Sequence, residues 1–161
     1  MLADALFSPC GLYRYRLSRL WDRDRPLAAF VMLNPSTADA TTDDPTIRCC
    51  VRLAEREGFG GIRVVNLFAY RTPERLELTA VSDPVGPAND RYIRAAVRAA
   101  DVCILAWGGY LPAPDRANRV LAILRKSKTP LKCIEMIGPA GNRQPRHPLY
   151  LRRTATLVDF P

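Results

Sequence analysis

Four places in this chain set polar or aromatic residues directly after an apolar run. Phe30-Val31-Met32-Leu33 is followed by Asn34-Pro35-Ser36-Thr37, and the adjacent carboxylates Asp43 and Asp44 come a few residues later. Val64-Val65 leads into Asn66, with Phe68, Tyr70 and Arg71 close behind. Ile104-Leu105-Ala106 ends in Trp107-Gly108-Gly109, and the only histidine lies in Arg146-His147-Pro148. An amide offers both a donor and an acceptor, and a carboxylate or imidazole can move a proton. These types together suit ligand recognition and acid–base chemistry. Singly, each has a plainer role. Asn34-Pro35 can start a turn, and Asn66 can satisfy loop backbone. Trp107, Phe68 and Tyr70 can pack, His147 can sit in solvent, and Asp43 and Asp44 can open a helix.

The elements needed to position these residues are legible. Leu27 to Leu33 reads as a fully buried strand, as do Ile62 to Phe68, Val102 to Trp107 and Leu131 to Ile137. Between them run amphipathic helices. Asp44-Pro45 is an N-cap with proline at the first helical position, and that helix turns Ile47, Val51, Leu53 and Ala54 inward and stops at Gly58. Further helices are expected over 89–100 and 115–126, with a long loop over 72–87 and a mostly irregular tail over 138–153. GLYRYRLSR at 11–19 alternates apolar and charged residues, the pattern of a half-exposed strand. Strands alternating with helices predict an α/β fold: three α/β/α layers around a mainly parallel four-stranded sheet, with an N-terminal antiparallel edge strand or hairpin. Open parallel sheets bind ligands beyond the carboxyl ends of their strands, so the four polar strand ends belong on one rim.

Length and composition bound the function. The 161 residues suit one domain, 1–161. The formal charge of +8 is carried mostly by arginine, whose planar fork suits phosphates and base edges. This favours a nucleic acid or nucleotide partner, although arginine richness also follows from genomic base composition. The five cysteines form no CxxC pair, so reduced thiols are expected, with no structural metal and no cofactor. No apolar run approaches the roughly 20 residues of a membrane span, and no basic leader precedes a long apolar stretch. A cytoplasmic protein is expected. GxGxxG, GxxxxGK[ST] and GxSxG are all absent, which leaves no dinucleotide, P-loop or nucleophile-elbow signature.

Two family resemblances follow from these blocks. MLNPSTADA, DDPTIR, VVNLFAYR, DPVGPAND and PRHPLYL, in that order, resemble the signature blocks of a bacterial family catalogued as domain of unknown function 1643. More distantly, Asn34-Pro35 is similar to the G-x-N-P-G motif of the uracil-DNA glycosylase superfamily, His147-Pro148 to its H-P-S, and Trp107-Gly108 to a pair ending its third strand. Asn66 corresponds to its base-reading asparagine. The chain departs from that pattern at Met32, Ser36 and Leu149, which replace two glycines and a serine.

The second resemblance implies a uracil-DNA glycosylase-like fold and a base-processing enzyme that hydrolyses the N-glycosidic bond of a flipped, uracil-like or modified base. His147 would donate to the departing base, Asn34 would orient water, and Asp43, with Asp39 or Asp44 as substitutes, would assist as base. Asn66 would read the base edge, with Phe68, Tyr70 or Trp107 beside it. Leu149, Tyr150 and Leu151 would form a wedge, and Ser36, Thr37, Arg71, Arg146, Arg152 and Arg153 would hold the nucleic acid. An enzyme or binder of free nucleotides, and a non-catalytic nucleic-acid-binding module, are the alternatives.

Overall fold

Seven strands form a single mixed sheet in the computed structural model, which describes all of residues 1–161. In chain order the elements are β1 (Leu2–Phe7), β2 (Arg14–Leu20), β3 (Leu27–Met32), α1 (Pro45–Arg56), β4 (Gly61–Asn66), a 3-10 turn (Arg75–Thr79), α2 (Asn89–Arg98), β5 (Val102–Leu105), α3 (Pro114–Lys126), β6 (Leu131–Cys133), β7 (Met136–Ile137), β8 (Gln144–Pro145) and β9 (Val158–Asp159). The sheet order is β1-β2-β4-β3-β5-β6-β9. The four buried runs pair in parallel, as the sequence predicts. The β1–β2 hairpin adds two antiparallel strands at one edge, and β9 adds an antiparallel strand at the other.

Helices cover both faces. α1 begins at Asp44, whose carboxylate accepts from Ile47 N–H at 2.9 Å, and Pro45 occupies the first turn, where no N–H is needed. Its buried stripe of Ile47, Cys50, Leu53 and Ala54 follows the helical period and packs on Ala28, Phe30, Ile62 and Ile104. α2 and α3 bury Ile93, Val97, Val120 and Leu124 against Val31, Val65, Cys103 and Leu105 on the opposite face. Alternate residues of β3 thus serve alternate cores, which is why the strand reads as continuously apolar.

Three expectations are corrected. Leu131 to Ile137 is not one strand: it breaks at Ile134-Glu135, and Met136–Ile137 pairs instead with Gln144–Pro145. The tail therefore carries a small hairpin as well as β9. The loop over 72–87 contains the 3-10 turn. Finally, no residue of β2 is exposed: Arg14 and Arg19 are each 2% exposed, because the loop after β3 lies over them, Ala38 O accepting from Arg14 and Asp39 O and the Asp43 carboxylate from Arg19.

From β3 the chain passes through α1 to β4 on one side, then through α2 to β5 on the other. The strand order reverses between β3 and β5, and such a switch point opens a crevice at the carboxyl ends of the two strands.

Candidate active site

That crevice is a cavity of about 890 Å³. It is lined by the end of β3 with Asn34, the start of α1 with Asp44 and Thr46, the loop from Thr72 to Leu76, the end of β5 with Trp107 to Tyr110, and Arg146, His147 and Leu149 after β8. Asn34 is fixed by its own amide, which donates to Pro35 O and Thr72 O, both at 2.9 Å. These bonds use the Nδ2 protons and leave Oδ1 free to accept.

His147 reaches the cavity because the β7–β8 hairpin docks on the end of β5. Gly108 N–H donates to Pro145 O at 2.8 Å, and Trp107 Nε1 donates to Gln144 Oε1 at 2.9 Å. Gly108 has φ +83, and a Cβ there would lie 3.3 Å from the Cβ of His147, so glycine permits both the turn and the approach. Leu149 N–H donates to His147 Nδ1 at 3.2 Å, which puts the proton of the neutral ring on Nε2. Burial holds the imidazole below its ordinary value of 6.5; nearby Asp44 opposes this and Arg75 adds to it. At neutral pH His147 is therefore a neutral hydrogen-bond donor.

The three aspartates of the loop separate clearly. Asp43 pairs with Arg19 at 2.8 Å and does not line the cavity. Asp39 accepts from Thr41 N–H and Thr42 N–H at 2.9 Å each, bonds that lower its carboxyl below the usual range. Asp44 alone lines the cavity, while it also caps α1.

Other predicted residues divide in the same way. Ser36, Thr37, Trp107, Arg146 and Leu149 line the cavity. Asn66 lies outside the lining, 1% exposed, with Oδ1 accepting from Arg14 at 3.4 Å. Phe68 is core, and Tyr70 packs edge-on against Tyr13. Arg71 braces the loop from outside the lining by donating to Ser36 O and Thr37 O, both at 3.1 Å. Tyr150 is 86% exposed with φ 61. Arg152 and Arg153 lie on two smaller grooves, the first of which adjoins the cavity. Arg146 lines both the cavity and the first groove, and Arg152 lines both grooves; Arg52, Arg56 and Arg153 line the second. Glu135 is the one acidic residue along them and pairs with Arg146 at 2.5 Å.

Sequence reasoning missed Arg14, Arg75 and Tyr110. Arg14 lines the cavity, and burial lowers its guanidinium to about 10, with Asp44 acting in the opposite sense, so it stays charged at neutral pH. The guanidinium of Arg75 stacks 4.6 Å above the Tyr110 ring. The alternation in GLYRYRLSR assigned Arg14 to solvent, and nothing local marked the other two.

The family model described as "Protein of unknown function (DUF1643)" matches residues 14–149, most of the chain and all of this cavity. The chain belongs to the DUF1643 family. Neither a curated protein nor a solved structure matches it. In this DUF1643 chain no cysteine lines the cavity, and all five thiols are free. No group of three or more His, Cys, Asp or Glu side chains is placed to hold a metal ion, and no helix is long and apolar enough to cross a membrane.

Proposed function

We propose that this protein hydrolyses the N-glycosidic bond of a base in nucleic acid, as a cytoplasmic, glycosylase-like enzyme of the uracil-DNA glycosylase type that its motifs resemble. The observation that carries this reading is the meeting of Asn34, Asp44 and His147 on one cavity with arginine-lined grooves beside it. Cleavage transfers the C–N bonding pair to the base while water oxygen bonds to the sugar carbon. Asp44 takes the water proton, Asn34 Oδ1 orients that water, and His147 Nε2–H meets the negative charge growing on the base. A neutral imidazole suits this task, because it donates without a preceding protonation step. Asp44 thus takes the role that the sequence assigned to Asp43. Asn66 supports the floor through Arg14, and the half-buried Tyr110 offers an aromatic surface at the cavity.

The grooves and Tyr150 support a strand as substrate. Arginines along a groove neutralise phosphates, and an exposed tyrosine next to the cavity-lining Leu149 suits insertion into a base stack. An enzyme acting on a free nucleotide is the second reading, favoured by the cavity itself. Its volume of about 890 Å³ falls within the roughly 300–1,000 Å³ typical of small-ligand sites.

Single- and double-stranded oligonucleotides carrying uracil, hypoxanthine or alkylated bases, with the matching nucleosides and nucleotides, test both readings. Release of free base from a strand supports the first, and release from monomers alone supports the second. No release from any of them, together with salt-independent or absent strand binding, rejects the proposal.

A further inference from the structure

We infer that the cavity contains a phosphate subsite between the start of α1 and the buried guanidinium of Arg14. The inference rests on the cavity being the substrate site, as proposed above, and adds the anionic group that the substrate must carry there.

Arg14 carries the argument. It is 2% exposed, it lines the cavity, and its Nε is buried without a hydrogen-bond partner. Its remaining nitrogens reach only neutral acceptors, Ala38 O at 3.1 Å and the Asn66 amide oxygen at 3.4 Å. None of the ion pairs in the molecule includes it. A buried charge is ordinarily paired, since stripping its water without compensation is costly. The carboxylate of Asp44, the nearest candidate, is instead turned to backbone, accepting from Ile47 N–H and, at 3.4 Å, from Ala38 N–H.

A second, independent set of donors faces the same space. The positive end of α1, twelve residues long, opens on the cavity, and Thr46 N–H has no acceptor within the chain. Ser36, Thr37 and Thr46 also line the cavity, and none of their hydroxyls bonds within the chain. Arg75, on the same lining and free of any carboxylate, adds a cation from the facing loop. Asp44 and Glu74 are the opposing carboxylates. An oxyanion with several acceptor oxygens matches this set of donors and brings the charge that Arg14 lacks, where a neutral sugar or base would leave Arg14 without a counter-charge.

The phosphate can be the 5′ group of a free nucleotide or the phosphodiester beside an extruded base. Calorimetry on the full chain separates them with two ligand pairs. One is deoxyuridine 5′-monophosphate against deoxyuridine. The other is a short deoxyuridine-containing single strand against the same strand with a methylphosphonate immediately 5′ to that nucleotide. The phosphate-bearing member is expected to bind about tenfold tighter or more, with the advantage abolished in Arg14→Met and reduced in Arg75→Ala. An effect in the first pair alone assigns the subsite to free nucleotides, and one in the second pair alone assigns it to a strand. Arg14→Met is also expected to be at least as heat-stable as the native protein in phosphate-free buffer, and the native protein alone to gain stability on adding the monophosphate. Arg75 is exposed, so its variant keeps the test available if Arg14→Met does not fold. Equal binding within both pairs, no binding at all, or an advantage that survives in every folded variant overturns the inference. Binding is read without turnover, so a subsite that binds while no base is released rejects the hydrolase reading and keeps the subsite.

Discussion

Asp44 is asked to do two things at once, and paired substitutions separate them. As the N-cap of α1 its carboxylate accepts from Ile47 N–H at 2.9 Å. Removing such a cap costs about 1 kcal/mol. As the carboxylate near Arg14 it offsets a guanidinium that burial would otherwise weaken further. With no direct ion pair between them, an effective dielectric near 20 makes the loss of this neighbour worth roughly 1–2 kcal/mol. Asp44→Ala removes both contributions, about 2–3 kcal/mol, which in a chain of this size lowers Tm by about 5–10 °C. Asp44→Asn keeps a capping oxygen, so it loses only the electrostatic part, and Tm falls by about 3–6 °C. Adding Arg14→Met removes the charge that Asp44 offsets, so Asn at position 44 costs nothing further in that background. Thermal unfolding of the four variants at pH 7.5 in low phosphate reads all of this. Equal Tm values for the Ala and Asn variants refute the capping role. An Asn variant as stable as the native protein, or a cost that persists with Arg14→Met, refutes the link to Arg14.

Other perturbations act on the cavity or on the grooves beside it. His147 has a lowered value in the folded chain, so below about pH 6.5 the unfolded chain takes up a proton that the folded one refuses. The stability from keeping it neutral is full above that pH and is lost as pH falls toward the folded value; the Tm difference between native protein and His147→Gln, followed from pH 8 to 5, should narrow accordingly. Gly108→Ala places a side chain at φ +83 and 3.3 Å from His147, costing about 1–2 kcal/mol and up to about 100-fold in base release. Gly141→Ala, at φ +86 with open space around it, should show the backbone cost in unfolding without the catalytic loss. Arg152→Ala and Arg153→Ala should each weaken strand binding uniformly across sequences and reduce the salt slope by about 0.7, the single-strand value per phosphate contact.

How far the site was legible depends on how far each residue's surroundings are local in sequence. Leu27 to Met32 is buried on both faces and Asp44-Pro45 starts a helix, and each shows this within a few residues. That is enough to predict a mainly parallel sheet and to place Asn34 and Trp107 at strand ends, but not to give the order of the strands. Arg14 was not legible. An arginine alternating with Tyr13 and Tyr15 reads as solvated until the loop at Ala38 is seen over it and Asn66 is seen beside it. Asn66 is buried with its Oδ1 accepting from Arg14, 52 residues away in the chain, and its Nδ2 without a partner, an arrangement that no local pattern announces. The proline after Asp44 marks it as the helix cap, but which of the two aspartates faces the cavity is not local: the reach of Arg19 to Asp43 decides it. The break after Cys133 follows from β9 pairing antiparallel at Cys133 and Lys132, and from the pairing of Met136 with Pro145. Those contacts join segments that carry no strand pattern of their own.

In the proposed reaction Asn34, Asp44 and His147 act together on one glycosidic bond. Single-turnover base release, measured on the oligonucleotide or nucleotide that the native protein cleaves fastest, tests it most directly. Asn34→Ala, Asp44→Asn and His147→Gln should each slow release by about 10²–10⁴-fold, with the double variant Asp44→Asn/His147→Gln losing less than the product of its parts. Release that proceeds at the native rate in folded variants of all three positions would contradict the account.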